Sequence, residues 1–137
     1  MTRNLLFALA ALSLAASASA GVPRAAALTG TNWKIVRIDG KAPASPRAEL
    51  RFLPERLSAT AGCNGMGGSW QVKGGRLVGG PFLSTMMYCQ SVTGDDSLMA
   101  QERALADLLA AKPTLDLRGK RLVLRSLGHS LELVRMP

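Results

Sequence analysis

The residue with the clearest chemical potential is Glu102. It follows Leu98 by four positions and precedes Leu105 by three, which sets a carboxylate on the apolar stripe of a helix. An isolated buried charge is very costly, so this acid must be hydrogen-bonded or must act as a base. No acid or nucleophile stands at a useful spacing, and the structural use is favoured. The glycine turn around Asn64 offers backbone N–H groups and Thr85 a hydroxyl. Cys63 and Cys89 are the only cysteines, and His129 the only histidine. That inventory excludes a zinc site of four Cys/His side chains. For the cysteines there are three readings: a disulfide, a Cys–His nucleophile or a metal thiolate. A nucleophile would need His129 as its base, and His129 sits in an expected exposed hairpin turn, Leu127-Gly128-His129-Ser130. An even cysteine count in an exported chain favours the disulfide.

The remaining candidates read more plainly as structure. Met86, Met87 and Cys89 offer soft sulfur that suits Cu(I). Alternate residues of a strand diverge, however, and Met fills irregular cores, so core packing is expected of both methionines. The run Gly62-Cys63-Asn64-Gly65-Met66-Gly67-Gly68 lacks the Lys-Ser/Thr of a phosphate loop and reads as a tight turn beside a bulge. Trp33 and Trp70 could stack a sugar ring, but both sit in strand patterns and are expected to anchor the core. No cofactor is implied.

The elements that position these groups follow from the periods of the chain. Residues 1–20 have the form of a secretory signal peptide: Arg3, an apolar run from Leu5 to Leu14, and Ala18-Ser19-Ala20 as a cleavage site. Cleavage there would leave 117 residues carrying +7, because the segment holds one Arg and no acid of a chain at +8. No apolar run reaches the roughly 18–20 residues of a membrane span. Residues 21–27 read as a flexible lead-in and 28–137 as one domain. A twofold period appears around Trp33 and Ile35, Leu50 and Phe52, 57–61, Trp70 and Val72, Leu77 and Val78, and 82–88. Turns fall at Asp39-Gly40, Pro54-Glu55 and Gly74-Gly75. The period changes once, over residues 95–112, where Leu98, Leu105, Leu108 and Leu109 form a stripe after the capping run Asp95-Asp96-Ser97. Pro113 ends it, and the twofold period returns through Leu115, Leu117, Leu122, Leu124, Leu131 and Leu133. The expected fold is mainly β (α+β): seven or eight short strands in an antiparallel meander, curled into a small barrel-like sheet with one packed helix.

Several segments together resemble the META domain, the family of the heat-shock protein HslJ. They are Leu28-Thr29-Gly30-Thr31-Asn32-Trp33, Gly62-Cys63-Asn64-Gly65, Ser84-Thr85-Met86-Met87-Tyr88-Cys89, Met99 with Glu102, and the closing run from Leu115 to Leu122. The resemblance covers about residues 28–135. It implies a β-rich domain with one helix, an envelope location and a cysteine pair bonded to each other. It marks Trp33, Gly62, Asn64, Gly65, Thr85 and Glu102 as motif positions. It also implies links to heat shock, antibiotic tolerance and, in some members, motility or virulence, with no agreed activity. Some members are lipoproteins; no cysteine stands here to carry the lipid.

The basic residues are scattered, and six aromatics are few for stacking bases, so nucleic acid is not an expected partner. The expectation is a non-enzymatic, periplasmic or secreted envelope protein, linked to stress or antibiotic tolerance, that binds an envelope protein or ligand. The alternative is a protein-interaction inhibitor, such as a protease inhibitor, working through barrel-end loops at residues 43–46 or 65–69.

Overall fold

A computed structural model of the chain describes Gly21 and residues 23–137. The signal-peptide expectation for residues 1–20 lies outside the described residues. Among the described residues ten strands, against the seven or eight expected, form one antiparallel sheet: β1 (Thr31–Ile38), β2 (Glu49–Phe52), β3 (Leu57–Thr60), β4 (Gly65–Gly68), β5 (Trp70–Lys73), β6 (Arg76–Gly79), β7 (Leu83–Ser84), β8 (Thr114–Arg118), β9 (Arg121–Ser126) and β10 (His129–Arg135). One long helix, α2 (Ser97–Ala110), follows a single helical turn, α1 (Ala25–Leu28). The expected β-rich sheet with one packed helix is the observed fold. Inside the segment read as a lead-in, Gly21 bridges to Leu117, and α1 drives Leu28 fully into the core.

The sheet order is β5-β6-β8-β9-β10-β1-β2-β3-β4-β7. Strand β1 lies inside it and buries Thr31, Trp33 and Ile35 in alternation. A bulge between Ile35 and Arg37 then shifts the parity, so that Ile38, three residues on, also points inward. Its neighbours place Leu50 and Phe52 from β2, and Leu131 and Leu133 from β10, on the same inner face. The Asp39-Gly40 turn expected from the sequence has both residues at positive φ, 51° and 77°. Ile38 and Lys41 exchange backbone hydrogen bonds across it.

Curling follows from connectivity. Strands β4 and β5 stand near opposite ends of the sheet order, yet only Ser69 separates them in the chain. The two ends must therefore meet. At the seam the Gly80 N–H donates to the Ser69 carbonyl at 3.1 Å. A Cβ on Gly79 would run into that same carbonyl oxygen, so the seam requires glycine. Trp70 of β5 also reaches across to β2: its ring packs edge-on against Phe52, with centroids 4.9 Å apart. Its indole N–H donates to the Leu53 carbonyl at 2.7 Å.

Helix α2 packs against β1, β6, β9 and β10, burying Leu98, Leu105, Leu108 and Leu109. It is shorter than the expected 95–112 at both ends. The Asp95 carboxylate turns back on the preceding loop, accepting from Ser91 and Thr93, and also accepts from the N–H of Ser97, the first helical residue. Those bonds, the Ser91 hydroxyl foremost, hold Asp95 well below the usual carboxylate range. At the other end Lys112 has a φ of 53°, which helical backbone does not allow.

Candidate functional site

The site lies where the Gly62–Gly65 turn, the strap of residues 83–89 and the first half of α2 meet. Gly62 opens the turn with φ +128°, and a side chain there would collide with Ser45. Cys63 is bonded to Cys89, with Cα atoms 5.9 Å apart, within the usual range for a disulfide. This closes the nucleophile and thiolate readings of the pair, since no thiol remains.

Asn64 is the hub, only 4% exposed. Its backbone N–H donates to Glu102 Oε1. Its Nδ2 donates to Glu102 Oε2 and to the Met87 carbonyl, both at 2.8 Å. Its Oδ1 accepts from the Met87 N–H at 2.7 Å and from the Thr85 hydroxyl at 2.8 Å. Both amide protons and both lone pairs are thus used. A flipped amide would set donor against donor on Met87, so the orientation is fixed by the partners. The strap is further tied at Thr85, whose N–H donates to the Gly65 carbonyl at 3.0 Å. The Thr85 hydroxyl accepts in return from the Gly65 N–H at 3.2 Å.

Glu102 is 6% exposed, as its place on the helix stripe demands. Both of its oxygens are engaged by Asn64. Among the described residues no Lys, Arg or His nitrogen lies within 4.0 Å of it. The acid therefore faces two fixed neutral donors, an arrangement that holds the turn to the helix. The expectation that the turn would satisfy Glu102 is met. Thr85 does not reach it and acts one step further out, on Asn64.

The methionines overturn an expectation. Met86 and Met87 are not core residues: they are 94% and 57% exposed. The reason is the hub. By bonding the backbone of Met87 on both sides, Asn64 takes the strap out of the sheet after β7, and its side chains project to solvent. The strap, Met66, Met99 and Arg103 together line a recess of about 270 Å³. Tyr88 is 67% exposed, with its hydroxyl donating to Asp96 Oδ1 at 2.8 Å. That bond to a carboxylate raises the phenol above its ordinary value.

The other sequence candidates lie elsewhere. Trp33 is fully buried, its indole N–H donating to Thr31 Oγ1 at 2.7 Å, and Trp70 belongs to the seam. Neither offers a face to a sugar. His129 begins β10 and pairs through Nδ1 with Asp39 at 2.9 Å. Residues 65–69 are not a barrel-end loop, because Gly65–Gly68 is the paired strand β4. The loop at 43–46 is held to α2: Gln101 accepts from the Ala44 N–H at 2.7 Å and donates to the Ala42 carbonyl at 2.9 Å. Asn64 as a five-bond hub, and the strap it presents, are not readable from the sequence. The sequence signals were the place of Asn64 in the glycine turn, which offered N–H groups to Glu102, and its standing as a motif position in the family resemblance.

Comparison with known proteins follows the same outline. The model of the META domain matches residues 26–137. A protein solved by NMR superposes with a TM-score of 0.71 at 19% identity, covering 82% of this chain and 94% of that one. A protein from Burkholderia xenovorans, also solved by NMR, superposes with a TM-score of 0.61 at 25% identity, covering 82% and 86%. No curated protein matches in sequence. The family model spans the strands, the disulfide, the hub and the helix that carries Glu102, and the chain belongs to the META domain family.

Proposed function

We propose that this META-domain protein is exported and acts without catalysis, by binding another component of the cell envelope through the strap at residues 83–88. One observation carries this reading: the groups with chemical potential are spent on holding the strap, and the strap presents its side chains outward. Glu102 and Asn64 satisfy each other, and the cysteines are bonded. Leu83, Met86, Met87 and Tyr88 are exposed together. Apolar groups fixed in place on a rigid backbone bind with little ordering cost. The signal-like segment at residues 1–20 supports export, and the disulfide suits an oxidising compartment. Family kinship supports a role in envelope stress or antibiotic tolerance.

The test has two arms. Protein recovered from its native compartment is expected to begin at Gly21. Photo-crosslinking from a probe at residue 88 in cells is expected to trap an envelope component, and the product should vanish when Met86→Asp is added. A full-length cytoplasmic protein, or crosslinks indifferent to Met86→Asp, would refute the proposal. A second reading, a protein-interaction inhibitor, is favoured by a specific observation. The strap is pinned through its backbone on both sides of its most exposed residue, as a protease-blocking loop must be.

A further inference from the structure

We propose that the strap is a substrate-like inhibitory loop for serine endoproteases whose primary pocket accepts a large apolar side chain, with Met86–Met87 as the bond presented to the enzyme. The inference rests on the inhibitor reading and adds the bond and the protease class. From Thr85 to Ser91 the chain has no helix, strand or turn, and no residue between 81 and 93 has a positive φ. Such a backbone can lie along a protease cleft. Met86 is the most exposed large apolar residue of the described chain. It stands between two fixed points. On its N-terminal side Thr85 is bonded to Gly65 and Asn64. On its C-terminal side the Met87 N–H and carbonyl are both bonded to Asn64, and two residues later Cys89 is bonded to Cys63. Flanking Leu83 and Tyr88 add exposed apolar contact.

The same restraints explain why such a loop inhibits rather than being consumed. Attack by the protease serine oxygen on the Met86 carbonyl carbon breaks the C–N bond to Met87. The serine proton passes through the protease histidine to the departing Met87 nitrogen. From a flexible substrate that amine diffuses away, and water completes hydrolysis by adding OH to Met86 and returning a proton to the serine. Here the new Met87 amine stays bonded to Asn64, and Met86 stays tethered through Thr85. The amine remains at the acyl carbon at high effective concentration and reforms the peptide faster than water intervenes. Glu102 supports this at one remove, as a positioning residue that fixes Asn64.

The experiment titrates the disulfide-intact protein against chymotrypsin and subtilisin, with trypsin as the counter-case, since its pocket selects basic side chains. Stoichiometric inhibition of at least one apolar-pocket enzyme, and none of trypsin, is expected. Prolonged incubation should yield one slow cut after Met86, detected as a mass gain of one water with the halves still joined by the disulfide. Met86→Lys should weaken the apolar-pocket inhibition roughly 30–1,000-fold, the range for losing a central anchor, and should create inhibition of trypsin. Met86→Leu should retain the parent's behaviour, and melting curves verify that both variants fold. Inhibition that ignores Met86→Lys would overturn the bond assignment and leave the inhibitor reading standing. Absence of inhibition by the parent, or rapid cleavage without it, would overturn the inhibitory loop, while crosslinking from residue 88 to a component that is not a protease would leave the binding function intact.

Discussion

Replacing Glu102 by leucine should remove the brace between helix and turn while leaving the helix stripe apolar. Two buried donors lose their acceptor, the Asn64 N–H and one Asn64 Nδ2–H. Hydrogen bonds to a charged acceptor contribute about 1.5–3 kcal/mol each, so the gross loss is about 3–6 kcal/mol. Leucine packed beside Leu98 and Leu105 returns about 1 kcal/mol through apolar burial, leaving a net cost of about 2–5 kcal/mol. Glu102→Gln should cost less, about 1–2 kcal/mol, because its carbonyl oxygen keeps one of the two bonds. The difference has a structural cause: the glutamine amide must turn its NH2 toward Asn64 Nδ2, and that second contact is lost. Urea melts at pH 7, followed by circular dichroism with the disulfide intact, read both costs from the midpoints at constant m. A domain of this size shifts by roughly 3–6 °C per kcal/mol, so the leucine variant should melt at least 6 °C below the parent. A cycle combining Glu102→Ala with Asn64→Ala should give a coupling energy of about 1–3 kcal/mol. Parent-like stability of Glu102→Leu, or a glutamine variant weaker than the leucine one, would refute the brace.

Other perturbations test separate parts of the structure. Thiol titration of the denatured, unreduced protein should find no free thiol, and Cys63→Ala with Cys89→Ala should cost about 3–4 kcal/mol, as expected for a closed loop of this length; two titratable thiols would contradict the bond. Leu127 is exposed at φ +44° in the β9–β10 turn, so Leu127→Asn should raise stability by about 0.5–1 kcal/mol in urea melts, and a loss would count against strain there. Burial pushes the Asp39 carboxyl up, but the Ser130 N–H and His129 outweigh it and leave the group below its ordinary value. A carboxyl depressed in the folded state stabilises above its unfolded pKa, and that gain disappears as pH falls through the folded value. Asp39→Asn should therefore flatten the acid limb of stability below about pH 4; an acid limb as steep as the parent's would exclude Asp39 as a contributor.

Much of the fold was legible because it rests on local patterns. Trp33 and Ile35, Leu50 and Phe52, and Leu131 and Leu133 alternate along the chain, and a strand has only two faces, so their burial follows from spacing. The change of period between Leu98 and Leu109 marked the helix, and the same spacing placed Glu102 on its buried side. Asp39-Gly40 and Gly74-Gly75 announced their turns because only a few residues tolerate positive φ at both positions. Strand β4 was not legible. Gly65, Gly67 and Gly68 carry no side chain to alternate, and the segment is a strand only because β3 and β7 pair with it.

The sequence by itself determined which residues seek the interior, where the chain turns and where its period changes, because those are properties of neighbours within a few positions. It also determined that Glu102 would need partners. Which partners it found was decided by tertiary structure. Asn64 reaches Glu102 across 38 positions and Met87 across 23, and no local pattern encodes such meetings. Those bonds lift residues 85–88 out of the sheet, so Met86 and Met87, apolar enough for a core, face solvent instead. The seam has the same origin: with one residue between β4 and β5, the two ends of the sheet have to meet, and closure then sets where Trp70 packs and why Gly79 must be glycine.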